Sequence, residues 1–200
     1  IGKRCVLDGL GLMLAGSYEK CTQIVTRFSA GVGQLRGATV LGKNPITVAA
    51  PFAALANGTA GHAMDWDDSQ LSKSPGRMYG LLTHPTIPPL AASLALSEEL
   101  GSVDGKTFLT AFLAGFEVEC KIAEAINPDH YIKGFHTSGT VGTFGAATAA
   151  AKLLGLSSDE ILHTLGITSS MTSGIRTNFG TMTKPFHAGH AAERGLLSAR

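Results

Sequence analysis

Residues 106–126 read KTFLTAFLAGFEVECKIAEAI, and their periodicity decides the fold class. Phe108, Leu109, Phe112, Phe116 and Ile122 recur at helical spacing, which lines apolar side chains along one face of a helix. Turn formers bracket the run, with GSVDGK (101–106) before it and NPDHYIKG (127–134) after it. Moving outward, residues 87–100 read as a second helix after prolines, and residues 159–171 as a third, opened by a Ser-Ser-Asp-Glu start that matches a capping box. LGLSS (154–158) and GTMTKP (180–185) are further loop candidates. No alternating apolar run is long enough to claim several strands. The chain is therefore expected to be all-α, a multi-helix bundle with its unusual residues in the loops.

Small residues support close helix packing. GTVGTFGAATAAAKLLG (139–155) repeats Gly and Ala every three or four positions, and Gly inside a helix costs about 1 kcal/mol relative to Ala, so a close neighbour or a ligand is expected to offset it. PFAALANGTAGHAM (51–64) and AGFEVECKIAEAI (114–126) read as helices buried on most sides.

Composition narrows the function. With 44% hydrophobic and 16% charged residues, 200 residues can bury a substantial core. Sixteen basic against 15 acidic residues leave a net charge of +1. No basic run exceeds two residues, so no nucleic-acid footprint or membrane patch is expected. Cys5, Cys21 and Cys120 have no paired spacing, which speaks against a disulfide framework or a thiolate metal site and for a reducing, cytoplasmic setting, with a mitochondrial one open in a eukaryote. No run of 18 apolar residues is free of polar interruption. The chain opens at Ile1 without Met and closes at Arg200 inside a helical pattern, so a piece of a longer protein is expected.

Four segments carry residues suited to chemistry. In GHAMDWDDSQ (61–70) three carboxylates, a histidine and the only tryptophan crowd into ten positions. If the helix that starts near Pro51 continues to about Asp65, His62 and Asp65 share a face, and Asp67 and Asp68 enter the following loop. The plain alternative makes Asp67 and Asp68 caps and His62 a core residue. In THPT (83–86), His84 is held by the stiff backbone before Pro85, which suits proton transfer. In KGFHTSGTVGTFGAA (133–147), His136 precedes a Gly-rich helix start where backbone N–H groups, with Ser138 and Thr140, could meet a carboxylate. It is not a P-loop, because it lacks GK[ST]. In GTMTKPFHAGHAA (180–192), Lys184 before Pro185 is biased to an extended backbone that would present its ammonium to an anion. His187 and His190 are better explained by helix packing than by zinc, which usually takes three protein ligands at a catalytic site.

In order, AxxNGxxxHxxDxDD, THPT, FHxSGTVGTFGAAxAAxKLLGL and TKPxHxGxAA closely resemble the helical domain of the MmgE/PrpD family, the 2-methylcitrate dehydratase-like proteins that include cis-aconitate decarboxylases and an iminodisuccinate epimerase. The resemblance covers nearly all of residues 1–200. It implies a helical domain followed by a smaller α/β domain, dimerisation through the helical part, and a cofactor- and metal-free lyase acting on a small di- or tricarboxylic acid. A dehydratase of the 2-methylcitrate type is the first expectation, with decarboxylation or epimerisation as alternatives. Asp65, His84, His136 and Lys184 fall on the family's active-site positions, and Ser69 falls where related decarboxylases carry threonine. His136 and His84 are then expected to move protons, Lys184 to hold a substrate carboxylate, and Asp65 to orient a partner or handle the leaving group. Ser138 and Thr183 are expected to bind substrate. The segment between Asp68 and His84 is longer than in the named dehydratases and decarboxylases and adds Lys73 and Arg77, which could bind a further carboxylate or face solvent. Two rivals are a magnesium-dependent prenyl or terpene synthase, suggested by DWDDSQ but lacking a second acidic cluster, and a non-catalytic helical interaction module.

Overall fold

The computed structural model describes residues 1–32, 37–72 and 81–200. Helices α1 (Gly2–Gly16) and α2 (Lys20–Ala30) lead to a short hairpin, β1 (Ala38–Val40) with β2 (Ile46–Val48). Helix α3 (Ala50–Gly61) follows, then a second hairpin of β3 (Gln70–Leu71) with β4 (Leu81–Thr83). The remainder is helical: α4 (Ile87–Leu100), α5 (Gly105–Ile126), α6 (Asp129–Ile132), α7 (Thr137–Leu154), α8 (Ser158–Met171) and α9 (Thr183–Ser198), with one 3₁₀ turn at Arg176–Asn178. The all-α class holds, and each of the two small sheets is an antiparallel pair.

Local chemistry sets the helix ends. The Asp104 carboxylate accepts the backbone N–H groups of Lys106 and Thr107 at 2.9 and 3.1 Å, which starts α5. Ser157 and Glu160 form the reciprocal capping box that starts α8. Gly101 and Gly155 close α4 and α7 in the left-handed conformation.

The centre of the molecule is a group of four helices, α3, α4, α7 and α9, rich in alanine, with glycine in α3, α7 and α9. Every α3 residue except Phe52 is buried. The helices approach until backbones touch. A Cβ on Gly189 of α9 would lie 2.2 Å from the Leu55 carbonyl oxygen of α3, and one on Gly115 of α5 would lie 2.3 Å from the Gly145 carbonyl oxygen of α7. Small residues at these crossings give more backbone contact than large side chains would allow, which answers the sequence expectation for 139–155.

Several expectations need correction. Helix α3 stops at Gly61, four residues short of Asp65. The segment 127–134 is not all loop, because it holds the single turn α6. Residues 114–126 are not buried on most sides: α5 lies outside the central group, and only Ala111, Phe112, Gly115, Glu119 and Ala123 form its buried stripe. Leu113 and Ile126 are exposed. Thr183, Lys184 and Pro185 form the first turn of α9 rather than an extended lead-in. Proline fits there because the first helical N–H groups have no intrahelical partner to lose. The β1–β2 hairpin was invisible to periodicity because each strand has three residues; it is held to α3 by the buried Asn57 amide, which accepts from Leu41 N–H at 2.9 Å and donates to the Thr39 carbonyl at 2.8 Å. No described helix is long and apolar enough to cross a membrane.

Candidate active site

The site begins where α3 ends. Asp65 N–H donates to the His62 carbonyl at 3.3 Å, and Asp65 adopts φ +58°. Aspartate enters this left-handed region more readily than most residues, so the chain can reverse here and aim three carboxylates in three directions. Asp65 turns outward to α9, Asp67 inward to His62, and Asp68 toward the start of α4. Asp68 accepts the backbone N–H and the hydroxyl of Thr86 at 3.2 and 2.8 Å, which ties the acidic turn to α4. Its carboxyl is raised above the usual range by burial, against the Thr86 bonds.

Strand β4 delivers His84. Thr83, one residue earlier, donates its hydroxyl at 2.7 Å to Glu119 on α5. Burial, opposed by this Thr83 bond, drives the carboxyl of Glu119, at the foot of the site, well above its ordinary range. His84 Nδ1 donates to the Asp68 carbonyl at 3.1 Å, which leaves Nε2 with the lone pair, 4.0 Å from Asp65. Burial lowers the affinity of His84 for a second proton, although Asp67 works the other way.

His62 connects the two halves. Its Nδ1 donates to both Asp67 oxygens at 2.8 Å, and both side chains are buried. Its ring centroid lies 4.9 Å from that of His84 and 5.7 Å from that of His136, which it stacks on. His136 is the residue before α7; its N–H donates to the Gly174 carbonyl at 3.1 Å, and its own carbonyl accepts from Gly139 and Thr140. The edge of Phe179 packs against its ring. Its Nδ1 lies 3.0 Å from Nδ1 of His187 on α9. Burial first, then the neighbouring His62, His187 and Lys184, push the His136 imidazolium down to about 2, so the ring is neutral.

Lys184, one turn before His187 on α9, donates from Nζ to Asp65 at 2.5 Å and lies 5.1 Å from the Phe179 ring centroid. Partial burial works to raise the Asp65 carboxyl, but the Lys184 hydrogen bond and charge win and hold it below the usual range. The Asp65 side chain is 55% exposed and that of Lys184 15%, so the ion pair forms the open end of a row that runs inward through His84, His62 and His136 to His187.

Asp65, His84, His136 and Lys184, drawn from four separate segments, are thus neighbours. Ser138 is buried in the first turn of α7, with its hydroxyl unpartnered among the described residues. The buried Nε2 of His62 is likewise unpartnered. Ser69 and Thr183 are exposed, beside Asp68 and Lys184. Lys73 and Arg77 lie outside the described residues. His190 is separate, bonded to Ser173 and Arg194 at 3.3 and 3.1 Å, so the two histidines of α9 are not a pair. Sequence reasoning passed over the parts played by Asp67, Glu119, Phe179 and above all His187. The i, i+3 spacing of Lys184 and His187 was the signal that could have found the last.

His62, Asp65, Asp67 and His84 each offer one atom within 4.8 Å of the others, a donor set of a kind that binds divalent cations. The donors are already engaged. Asp65 holds an ammonium, Asp67 accepts from His62, and His84 donates to a carbonyl. A cation would have to displace Lys184 against its own charge. Asp68 is likewise spent on Thr86, which removes the acidic cluster that a diphosphate-bound magnesium would use.

Known proteins resemble this chain over nearly its whole length. The chain is 34% identical over 201 residues to the cis-aconitate decarboxylase of Homo sapiens, covering 98% of this chain and 40% of the relative. It is 34% identical over 198 residues to that of Mus musculus, covering 97% and 39%, and 32% identical over 208 residues to that of Aspergillus terreus, covering 98% and 39%. The chain therefore spans about two fifths of the length of the curated relatives it matches. The family model described as the MmgE/PrpD N-terminal domain matches residues 2–200, and the chain belongs to the MmgE/PrpD family.

Proposed function

We propose that this chain carries the acid–base part of the active site of a lyase that decarboxylates a small unsaturated tricarboxylic acid of the cis-aconitate kind. The observation that carries the reading is the continuous row from the Lys184–Asp65 ion pair at the mouth to the buried, neutral His136. The names of the relatives favour decarboxylation over the dehydration of 2-methylcitrate first expected from the motifs.

The chemistry asks for few parts. The bond from the substrate's methylene carbon to its carboxylate breaks and releases carbon dioxide. Its electron pair forms a new double bond, and the pair of the old double bond moves to the carbon beside a second carboxylate. That carbon takes one proton. Lys184, now paired with the half-exposed Asp65, supplies a point charge for a carboxylate. His84, with its Nδ1 fixed by the Asp68 carbonyl, offers Nε2 to the substrate. His136 Nε2 is its remaining nitrogen, because Nδ1 faces His187. Ser138 and His62, with buried unpartnered polar atoms, are the groups a bound ligand would satisfy. The working protein is proposed to be a homodimer.

The test is to express the protein from its complete gene and incubate it in metal-free buffer with cis-aconitate, 2-methylcitrate and citrate. Release of carbon dioxide from cis-aconitate alone, lost in His136→Ala, is expected. Loss of water from 2-methylcitrate without carbon dioxide release would return the reading to a dehydratase.

A further inference from the structure

His187 has two faces. On one, its Nδ1 meets Nδ1 of His136 at 3.0 Å, deep in the row just described. On the other, it lines a cavity of about 760 Å³ between α2, α3 and α9, together with Val25, Phe28, Phe52, Ser173 and His190. None of Asp65, His84, His136 or Lys184 lines that cavity, and among the described residues His187 is the lining residue whose side chain is within hydrogen-bond distance of the His136 ring. Among the described residues its Nε2 has no hydrogen-bond partner and is not sealed from solvent.

This arrangement removes a difficulty in the proposed chemistry. A neutral imidazole that gives up its only N–H proton becomes an imidazolate, which is far too basic to form here. The usual escape is to start from imidazolium, but the surroundings of His136 disfavour that cation down to about 2, with burial as the first cause. A neutral His136 can donate from Nε2 only if its Nδ1 takes a proton in the same step. The group placed to give one is Nδ1 of His187.

We propose that His187 is the second ring of a proton wire, which links His136 to water in the cavity between α2, α3 and α9. The inference rests on the decarboxylase reading. In the starting state His187 Nδ1–H donates to the Nδ1 lone pair of His136, whose proton is on Nε2. The substrate carbon takes the Nε2 proton of His136, the Nδ1 proton of His187 crosses to Nδ1 of His136, and a proton from solution, passed along cavity water, adds to Nε2 of His187. One proton enters and one leaves, and both rings are neutral before and after. The tautomers are reset when product has gone: a proton from solution at the mouth adds to Nε2 of His136, the shared proton returns to His187, and His187 gives its Nε2 proton back to the cavity. His187 is a positioning and relay residue, because it reaches the substrate only through His136.

The test uses the protein from its complete gene, with His187→Phe to remove the relay and His187→Asn to keep a polar atom near the Nδ1 position without the power to pass a proton. On cis-aconitate, kcat is expected to fall about 100-fold or more in both variants while KM stays within about twofold, in keeping with the usual worth of a placed acid or base. The wild-type rate plotted against deuterium fraction should curve, as for two protons in flight, and should become linear in both variants. A structural role alone would not produce that change. Retention of kcat within about threefold in His187→Asn, or a linear wild-type plot, overturns the wire. If wild type turns over no carboxylate, the decarboxylase reading fails, and ¹⁵N NMR still judges the wire. A through-hydrogen-bond coupling between the two Nδ1 atoms, absent in His187→Asn, supports it, and no coupling in wild type overturns it.

Discussion

From Ala50 to Gly61 the chain carries no charge and buries every side chain but Phe52; over residues 62–69 it carries a histidine and three aspartates. The two stretches are continuous and are stabilised in opposite ways. Helix α3 is a volume problem, solved by leaving out side chains until Gly189 of α9 lies against the Leu55 carbonyl. The turn after it is a problem of polar partners, solved by giving each carboxylate its own: Lys184, His62 and Thr86. The first stretch makes the second possible, because three acids fanned from one turn keep their aim only if the helix beneath them cannot shift. Substitutions should therefore separate cleanly, with changes in the helix costing stability and changes in the turn or its partners costing turnover.

The largest effect should come from breaking the helix crossing. A Cβ at Gly189 would sit 2.2 Å from the Leu55 carbonyl oxygen, which is backbone, and 2.3 Å from the Thr59 hydroxyl, which is hydrogen-bonded to that same oxygen. Gly189→Val is expected to cost about 3 kcal/mol or more, at the upper end of overpacking, read by urea unfolding. A variant as stable as wild type would mean that α3 and α9 can slide, and would remove the rigidity on which the comparison rests.

Lys184→Ala should behave in the opposite manner. The Lys184–Asp65 pair is open to solvent on the aspartate side, so its loss should change stability by no more than about 1 kcal/mol. Turnover of cis-aconitate should fall about 100- to 1,000-fold in kcat/KM, the usual loss when a placed charge or donor is removed from developing charge. Equal stability and equal turnover would show that the ammonium serves neither the fold nor the substrate.

Glu119 lies on the border between the two regimes. It is buried in α5 against Gly145, yet it holds Thr83 and through it the strand that delivers His84. Its folded carboxyl titrates well above the ordinary 4.5, so between those values the folded chain keeps a proton that the unfolded chain has released. The contribution of Glu119 to stability must then fall as pH rises above about 4.5, by up to about 1.4 kcal/mol per pH unit for one proton, against the opposite slope of the histidines that burial keeps neutral. Glu119→Gln cannot ionise and should lose that slope, which urea unfolding at several pH values would read. Parallel slopes in the two proteins would place the proton elsewhere.

Much of the helical architecture could be read from residue pattern alone, because caps and breakers act locally. The helix expected at 87–100 is found there, and those expected from 106 and 159 each start one residue earlier. The misses share a cause, which is that a tertiary partner decides the outcome. Nothing within residues 62–65 reports that Asp65 will meet Lys184, 119 positions away, yet that contact accompanies the left-handed conformation of Asp65, four residues beyond α3. Similarly, Lys184 before Pro185 reads as extended, but α9 can begin there because its first N–H groups need no intrahelical partner. His136 and His84 stood out because turn formers flank them. His187 did not, since a histidine inside an alanine-rich helix looks like packing until the ring opposite is known.

The smallest expected effect tests whether the mouth of the site extends past the acidic turn. Ser69 follows Asp68, is exposed, and makes no hydrogen bond among the described residues, so no buried group depends on it. Ser69→Ala should leave stability within about 0.5 kcal/mol of wild type, as for an ordinary surface change. If its hydroxyl meets the substrate, KM for cis-aconitate should rise about two- to tenfold, the worth of one neutral hydrogen bond, with kcat unchanged because the proton-handling row is untouched. Ser69→Thr keeps the hydroxyl and should keep KM. An unchanged KM in Ser69→Ala would confine the mouth to the Lys184–Asp65 pair, whereas a fall in kcat would mean that this turn, like the helix before it, holds its neighbours in place.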